Sequence, residues 1–430
     1  MIRVKDISCD FEREPLIAPL GFKGKYLTQL WQSIAYIRAF SGSEGLGIGT
    51  QSVLWSDAEL FAGSPESASN AFMFATTFFA LSQVRDRCFS DPVSLLDDIL
   101  RPVTDYAKSV TSYPGLRPTF VLNALVPVDN AAWQLYAAEH GLSSFDEIIP
   151  DEFKPALSHR HRELGLIPLV SYGVSVEDVV DLVRAGVFVL KIKIGCDPDG
   201  DGDPEKMLEW DTNRVLSIHH AVEEFETPYT DSQRVVYYLD ANGQYESKDH
   251  LLHLIDRFER EGILDRVILL EEPFPEGSEI SVEDLPVRVA GDESAHSVRH
   301  VAELIDLGYT AIALKPVAKT LSETLKIATL AHDKGIHCFC ADLTANPILV
   351  DWNKNVAARL APLPGLRIGI LEMNGDRNYK NWVQMCNYHP KAGAPWTVPV
   401  GGVFRLDDSF YESSGGILEQ SEHYRSLVVS

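Results

Sequence analysis

Three carboxylates stand where apolar runs of the sequence end. Asp240 closes the run VVYYLD, Glu271 closes VILLE, and Asp292 follows VRVAG. Such runs predict buried parallel strands, which are apolar on both faces. At the carboxyl end of a barrel strand, a side chain points into the mouth where active sites lie. Three carboxylates that meet there favour a hard divalent cation, and we predict that they are ligands of Mg²⁺.

Lysines flank these carboxylates in the order of the strands. Lys191 and Lys193 lie in VLKIKIG, where the two-residue period of a strand puts both side chains on the same inward face. Lys315 ends the run IALK on the other side of the mouth. Buried lysines are unfavourable unless they are paired or functional. A substrate held by the metal would therefore present opposite faces to Lys193 and Lys315.

This arrangement suits the removal of a proton from the carbon next to a carboxylate. Mg²⁺ bound to the substrate carboxylate would stabilise the enediolate that forms as the proton leaves. The base must be neutral near pH 7, so a lysine needs a pKa well below its usual value of about 10.4. The ammonium group of Lys191, the metal and partial burial are expected to lower that pKa. Lys191 is also expected to bind the substrate carboxylate.

Composition limits the range of partners. The chain has 430 residues and a formal net charge of −24, which disfavours nucleic acid and anionic membrane surfaces. Its N-terminus lacks the apolar segment of a signal peptide, and the sequence has no long uncharged span. The six cysteines show no disulfide or metal-binding spacing. We therefore expect a cytoplasmic protein that acts on a small-molecule carboxylate.

The elements that must position these groups alternate regularly. Apolar strands and helical segments follow each other from about residue 168 to 373, and glycine recurs where the helical segments end. This alternation predicts the α/β class and a (β/α)₈ TIM-like barrel. The expected strand ends are Tyr172, Lys193, Asp240, Glu271, Asp292, Lys315, Asp342 and Glu372.

The sequence outside this alternation predicts a second unit. Residues 1–125 have mixed patterns and are expected to form an N-terminal α+β capping domain, whereas residues 126–390 form the barrel that carries the catalytic residues. The C-terminal segment, 391–430, is expected to return to the capping domain and complete it. Its apolar side chains, including Trp396 and Phe404, need a surface on which to pack.

Five short motifs occur in a fixed order along strands two to six: KIK, LDAN, EEP, GDES and LKP. This order resembles the enolase superfamily, in particular the branch of muconate lactonizing enzymes and dipeptide epimerases within the mandelate racemase/muconate lactonizing enzyme family. The superfamily is known for a lysine or histidine base that works with Mg²⁺. The resemblance implies that Lys193 and Lys315 are the acid/base pair, that Lys191 assists, and that Glu271 is the metal ligand of the EEP motif. Residues that orient the ligands would be Asn242, Glu272 and Glu293.

Substrate-binding residues are predicted in two groups. Asp342, Glu372, Asn374 and Tyr172 lie at strand ends and should line the pocket. The segments PLGFKGKYL and QSVLWSD resemble the capping-domain pieces of the family, which implies that Lys23, Lys25 and Trp55 contact substrate as part of a lid.

Two departures from the family pattern concern specificity. The mandelate racemase branch uses a histidine on strand seven supported by an aspartate on strand six, but this chain has Asp342 and Lys315 there. Dipeptide epimerases carry an Asp-x-Asp pair on strand eight that binds the substrate ammonium. Here the segment reads Glu372-Met373-Asn374, which argues against dipeptide specificity.

Lysines on both faces of the substrate predict a racemase, an epimerase or a cycloisomerase. The same site would also serve a dehydratase of sugar acids or hydroxy acids, in which only one lysine needs to be a base. A third alternative is a catalytically silent binding protein on the same scaffold. Metal-dependent hydrolysis is disfavoured because no predicted strand end carries a histidine ligand. The resemblance also implies a homo-oligomer, either a dimer or an octamer.

Overall fold

The structure is a computed structural model that describes residues 1–22 and 25–429. Its N-terminal part is an antiparallel sheet covered by helices, as the α+β prediction requires. The strands are β1 (Ile2–Phe22), β2 (Lys25–Ala39), β3 (Glu44–Gln51) and β4 (Cys88–Phe89). The helices are α1 (Val53–Ser56), α2 (Ala58–Gly63), α3 (Glu66–Val84), α4 (Pro92–Thr111) and α5 (Pro118–His140).

Helix α5 lies directly on strand β3, and glycines make this close packing possible. The sheet order is β3-β2-β1-β4, so β3 is an edge strand. A Cβ atom at Gly47 would lie 1.8 Å from the carbonyl oxygen of Pro127, and one at Gly45 would lie 2.0 Å from that of Ala131. Any larger residue at these positions would push α5 off the sheet. The predicted domain boundary at residue 125 falls inside this helix.

The remaining elements build the barrel and its attachments. The strands are β5 (Glu163–Ile167), β6 (Leu169–Val170), β7 (Val189–Lys193), β8 (Val236–Asp240), β9 (Val267–Glu271), β10 (Val289–Gly291), β11 (Ala311–Leu314), β12 (His337–Cys340), β13 (Gly369–Glu372) and β14 (Val403–Arg405). The helices are α6 (Phe145–Ile148), α7 (Val176–Arg184), α8 (Pro204–Val222), α9 (Lys248–Arg260), α10 (Val298–Asp306), α11 (Pro316–Lys319), α12 (Leu321–Asp333), α13 (Pro347–Ala357), α14 (Gly375–Asn378), α15 (Trp382–Asn387), α16 (Asp408–Ser413) and α17 (Glu422–Val428). Short 3₁₀ segments cover Asp151–Leu157, Leu264–Arg266 and Ser414–Gly416. None of the helices in the described ranges has the length and apolar character needed to cross a membrane.

The barrel closes at its first strand, which Pro168 divides in two. Before the proline, β5 pairs in parallel with β13, and after it β6 pairs in parallel with β7. Each strand from β7 to β13 pairs in parallel with the next one along the chain. The first strand therefore joins both ends of the sheet, and the predicted (β/α)₈ barrel is confirmed.

The barrel interior is layered along strand β7. Val189 belongs to an apolar cluster at the bottom of the barrel, together with Tyr238 and Phe339. Lys191 and Lys193 follow at two-residue steps and share the inward face. The apolar layer closes the barrel beneath the lysines and limits access to the end that the capping domain covers.

The C-terminal segment packs first on the barrel and then on the N-terminal sheet. Strand β14 pairs antiparallel with β5, and Trp396 and Phe404 are buried in the main core of the barrel. The last helix, α17, then contacts β1 and β2 of the N-terminal sheet. Val398 and Val400, which lie between Trp396 and Phe404 in the sequence, are exposed. This segment thus connects both parts of the molecule, and its limits at 391–430 stay a prediction.

Candidate active site

A cavity of about 320 Å³ lies at the carboxyl ends of the barrel strands, where the sequence predicted the site. The capping part contributes Leu20 and Trp55 to its wall. The structure brings most of the predicted site residues into this wall: Lys191, Lys193, Asp240, Asp292, Glu293, Lys315, Asp342, Glu372 and Asn374.

Carboxylates at the ends of β9 and β10 form a cluster that could hold a metal ion. Oxygen atoms of Glu271, Asp292 and Glu293 lie within 4.8 Å of one another. In the described part of the chain, Asp292 Oδ1 and Glu293 Oε2 are buried without a hydrogen-bond partner. Burial raises the pKa of Glu271 to about 8, although the charge of Lys191 opposes this effect. Buried carboxylate oxygens that lack a hydrogen-bond donor fit a hard divalent cation, and the cluster agrees with the predicted Mg²⁺ site.

Asp240, the third predicted ligand, is held by lysines. Lys191 Nζ lies 3.1 Å from Asp240, 3.2 Å from Glu271 and 3.1 Å from Glu372. This buried ammonium therefore joins the carboxylates of β8, β9 and β13. Burial alone would lower the pKa of Lys191, but the surrounding carboxylates outweigh it and hold the pKa well above its ordinary value. Glu293, predicted to orient the ligands, lies within the cluster with Glu271 and Asp292, and Asp240 lies outside it. Which of the two is a metal ligand stays a prediction.

Lys193 lies at the mouth and contacts two acceptors. Its Nζ donates to Asp240 Oδ2 at 2.6 Å and to the side-chain oxygen of Asn242. Asn242 Nδ2 donates in turn to Glu293 Oε1 at 3.2 Å. Asn242 therefore connects Lys193 with Glu293, and its role in orienting metal ligands stays a prediction.

Lys315 approaches the cluster from the other side. It forms an ion pair with Asp292 Oδ2, and its ammonium group lies 4.5 Å from the ring centre of Trp55. Burial would lower the pKa of Lys315, but Asp292 and Glu293 raise it above its ordinary value. The sequence predicted a base of lowered pKa, and the carboxylates that face the amine are the reason why the structure shows the opposite shift.

Glu272 stabilises the loop that carries two of the cluster residues. It accepts hydrogen bonds from the backbone N–H of Asp292 at 2.8 Å and of Ser294 at 3.1 Å. Burial and the neighbouring Glu293 raise its pKa well above the ordinary value. Its role in orienting the metal ligands stays a prediction.

The residues at the end of strand β13 bind one another. Glu372 Oε2 accepts from Lys191, and its Oε1 accepts from Asn374 Nδ2 at 2.8 Å. Asp342 accepts hydrogen bonds from the backbone N–H of Ala345 and of Asn374. Burial raises the pKa of Asp342 to about 6. All three residues line the cavity as predicted, but each already has internal partners.

Two other predicted substrate contacts, Tyr172 and Lys25, lie outside the cavity wall. Tyr172 is 41% exposed, does not line the cavity, and donates its hydroxyl to the carbonyl oxygen of Ile194 at 2.9 Å. Lys25 is exposed at the start of β2 and is also outside the cavity wall. Lys23 lies outside the described residues. Of the predicted lid residues, Trp55 therefore lines the cavity, where it covers Lys315.

Sequence reasoning missed two basic residues at the site. Lys319 is buried, donates to the carbonyl oxygen of Asp292 at 2.7 Å and lies 3.5 Å from Asp292 Oδ1. It follows Lys315 by four residues. A helical turn after strand six would place both side chains on one face, and this spacing could have predicted Lys319. Arg377 lines the cavity from α14. It follows strand eight of the barrel, and neither a motif nor a hydrophobic period of the sequence predicted it.

Comparison with known proteins shows which family most of this barrel resembles. Residues 175–370 match the sequence profile of the family described as enolase C-terminal domain-like. The expected resemblance to the enolase superfamily is therefore confirmed: the chain carries an enolase C-terminal domain-like barrel beneath an α+β capping domain. No curated protein matches the chain by sequence.

Solved structures share the fold over nearly the whole chain. A mandelate racemase/muconate lactonizing protein from Herpetosiphon aurantiacus has a TM-score of 0.65 at 16% identity and covers 94% of this chain and 96% of its own. A dipeptide epimerase from Enterococcus faecalis V583, complexed with Mg and the dipeptide L-Leu-L-Tyr, has a TM-score of 0.63 at 15% identity, with coverages of 94% and 97%. L-talarate dehydratase from Polaromonas sp. JS666, complexed with Mg and L-glucarate, has a TM-score of 0.60 at 17% identity, with coverages of 89% and 88%. At these identities the likeness shows the fold and not the reaction.

Proposed function

We propose that this protein is a Mg²⁺-dependent enzyme that removes the α-proton of a small carboxylic acid, as a racemase, an epimerase or a cycloisomerase. The observation that supports the proposal is the position of Lys193 and Lys315. They enter one cavity from β7 and from the end of β11, and Asp292 and Glu293 of the metal-binding cluster line the same cavity. Similar folds that bind Mg together with a dipeptide or a sugar acid are consistent with this function.

The proposed metal ligands are Glu271 and Asp292, with the third position taken by Asp240 or Glu293. Asp240 is the ligand that the family pattern implies, whereas Glu293 has the free oxygen in this structure. A divalent cation held there supplies positive charge next to the substrate carboxylate and so stabilises the charge that develops when the α-proton leaves. Lys191, which already contacts the acids of three strands, adds a fixed positive charge at the same place.

The two mouth lysines have complementary roles in this proposal. One amine accepts the α-proton and the other donates a proton to the opposite face of the same carbon, so that the stereocentre inverts. In a dehydratase, only one lysine would be the base and the other would supply charge. Lys193 and Lys315 are each within hydrogen-bond reach of a carboxylate, so neither ammonium is an isolated buried charge.

The first experiment measures α-proton exchange. The protein is incubated in D₂O with a library of α-substituted carboxylic acids, with and without Mg²⁺, and the α-proton signal is followed by NMR. We expect Mg²⁺-dependent loss of the signal for at least one acid, without loss of the other substituents of that carbon. Release of water instead would assign the protein to the dehydratases. No exchange across the library would support a silent binding protein.

A parallel measurement tests the metal site without turnover. Excess Mg²⁺ should raise the unfolding free energy by about 2.7 kcal/mol at a concentration of about 100 times its Kd. Asp292→Asn should lose this increase, because it removes a charge from the cluster. Asp333→Asn is the matched control, since Asp333 is exposed at the end of α12. Equal stabilisation of both variants by Mg²⁺ would contradict the proposed site.

A further inference from the structure

Arg377 is a charged side chain in the cavity wall. It lies on the short helix α14, directly after strand β13, and lines the cavity beside Asn378 and Thr344. Among the described residues, no carboxylate pairs with its guanidinium group, and it makes no side-chain hydrogen bond. Its neighbour Asp376 is mainly affected by burial, which raises the pKa of that carboxyl, and the charge of Arg377 only reduces this shift.

The carboxylates near strand β13 in the cavity wall already accept hydrogen bonds from the protein. Each oxygen of Glu372 accepts a hydrogen bond from Lys191 or Asn374, and each oxygen of Asp342 accepts one from a backbone N–H. The side-chain oxygen of Asn374 accepts from the backbone N–H of Leu169 at 3.0 Å. A positively charged substrate group would therefore compete with donors that the protein already supplies to these carboxylates, and it would be repelled by the charge of Arg377.

We propose that Arg377 determines specificity by binding an anionic group at the far end of the substrate, so that the enzyme prefers acids with a second carboxylate over acids with a terminal ammonium. This inference rests on the proposed function, because it assumes that the first carboxylate binds at the metal cluster. A guanidinium group offers paired N–H donors that match both oxygens of a carboxylate. The free positive charge also explains how a protein with a net charge of −24 would accept a doubly anionic ligand.

The effect should be moderate, because Arg377 is exposed at the mouth. Ion pairs in contact with water contribute little to affinity, and a bidentate pair that a bound ligand shields from water contributes more. We expect the far carboxylate to improve affinity by roughly threefold to tenfold, and tenfold corresponds to about 1.4 kcal/mol.

The test compares probes that differ only at the far end. Glutarate and adipate, their monoamides and the ω-amino acids of the same chain lengths are titrated into the full-length protein with saturating Mg²⁺, and binding is measured by calorimetry. We expect the dicarboxylates to bind most tightly and the amino acids most weakly. Arg377→Gln should remove the preference, Arg377→Lys should restore part of it, and Lys380→Gln should leave it unchanged. Lys380 is a suitable control because it is exposed three residues further on and does not line the cavity.

The outcomes separate this inference from the proposed function. Equal binding of the dicarboxylates and monoamides, or an unchanged preference in Arg377→Gln, would overturn the role of Arg377. If Mg²⁺-dependent α-proton exchange is observed with other acids in that case, the proposed function stands. Absence of any Mg²⁺-dependent binding, together with absence of exchange, would contradict both proposals.

Discussion

On the β7 side of the cavity, the side chain of Lys193 is 18% exposed and contacts Asp240 and Asn242, whereas on the β11 side that of Lys315 is 3% exposed and lies under Trp55. Both lysines have an aspartate partner from a neighbouring strand end. They differ in access to water, because the capping part covers Lys315 but leaves Lys193 at the mouth. The same chemical group is thus placed in two environments, and the capping part makes the difference.

The backbone around each lysine is also fixed in a different way. After Lys193, the buried carboxylate of Asp211 accepts hydrogen bonds from the backbone N–H groups of Gly195 and Cys196. After Lys315, the ammonium group of Lys319 donates to the carbonyl oxygen of Asp292. A carboxyl group therefore anchors one side and an amine anchors the other. The first anchor has a pKa of about 6, so it changes its charge in a pH range that can be studied experimentally.

The largest expected effect comes from removing either lysine. Lys193→Ala and Lys315→Ala should each slow α-proton exchange by roughly 10²- to 10⁴-fold, but for opposite enantiomers of the substrate, because the amines face opposite sides of the carbon. The rate is measured for each enantiomer by NMR in D₂O. Lys206→Ala is the control, since Lys206 pairs with Asp199 in a surface loop. Loss of exchange for the same enantiomer in both variants would show that only one side of the cavity contains a base.

The amount of deuterium that enters the α-position should also distinguish the two lysines. Because Lys193 is open to water, a proton that it accepts should be replaced by deuterium before it returns, whereas Lys315 should return part of the original proton. The NMR measurement in D₂O on each enantiomer of the substrate tests this expectation with the wild-type protein alone. It would be contradicted if the wild-type protein incorporated deuterium equally from both directions.

The sequence predicted the parts of this site that depend on strand geometry. The two-residue period placed Lys191 and Lys193 on one face, and apolar runs located the ends of the strands that carry Asp240 and Glu271. The facing of the two lysines and the strand ends follow from the two-residue period and the apolar character of the strands. The barrel was therefore predictable before any contact between strands was known.

The remaining features depend on side-chain contacts between distant segments. Asp240 pairs with lysines while Glu293 joins the metal-binding cluster, and spacing along the chain does not distinguish these arrangements. The raised pKa of Lys315 depends on which carboxylates face it in the folded state. The position of Arg377 depends on how the chain turns from strand eight into the short helix α14. Each of these features arises from packing and electrostatics across the mouth, which local sequence patterns do not encode.

The next effect in size concerns the anchor behind Lys193. Burial raises the pKa of Asp211 from 3.8 to about 6, so the folded state binds this proton more tightly than the unfolded state. The proton on Asp211 therefore contributes fully to the unfolding free energy below about pH 4. This contribution is lost as the pH rises to about 6. The wild type should therefore lose roughly 2–3 kcal/mol over this range relative to Asp211→Asn, which does not titrate. Urea unfolding at several pH values measures the difference.

Hydrogen bonds lost in Asp211→Asn change stability by a constant amount, so the slope with pH and not the absolute value is the test. Asp333→Asn provides the control, because it removes an exposed carboxyl group at the end of α12. Parallel pH curves for the wild type and Asp211→Asn would mean that the anchor on the Lys193 side does not change its charge on folding. The contrast between the two anchors would then be lost.

The smallest effect concerns the aromatic cover of Lys315. Its ammonium group lies 4.5 Å from the ring centre of Trp55, and such a cation–π contact contributes about 0.5–2 kcal/mol. A double-mutant cycle with Trp55→Leu and Lys315→Met should show a coupling of this size in the unfolding free energy. The matched cycle uses Trp210→Leu, since Trp210 packs against Tyr172 on the β7 side and should give a coupling near zero with Lys315. Equal coupling in both cycles would mean that Trp55 only excludes water from Lys315, and the difference between the two sides of the cavity would then be one of access and not of electrostatics.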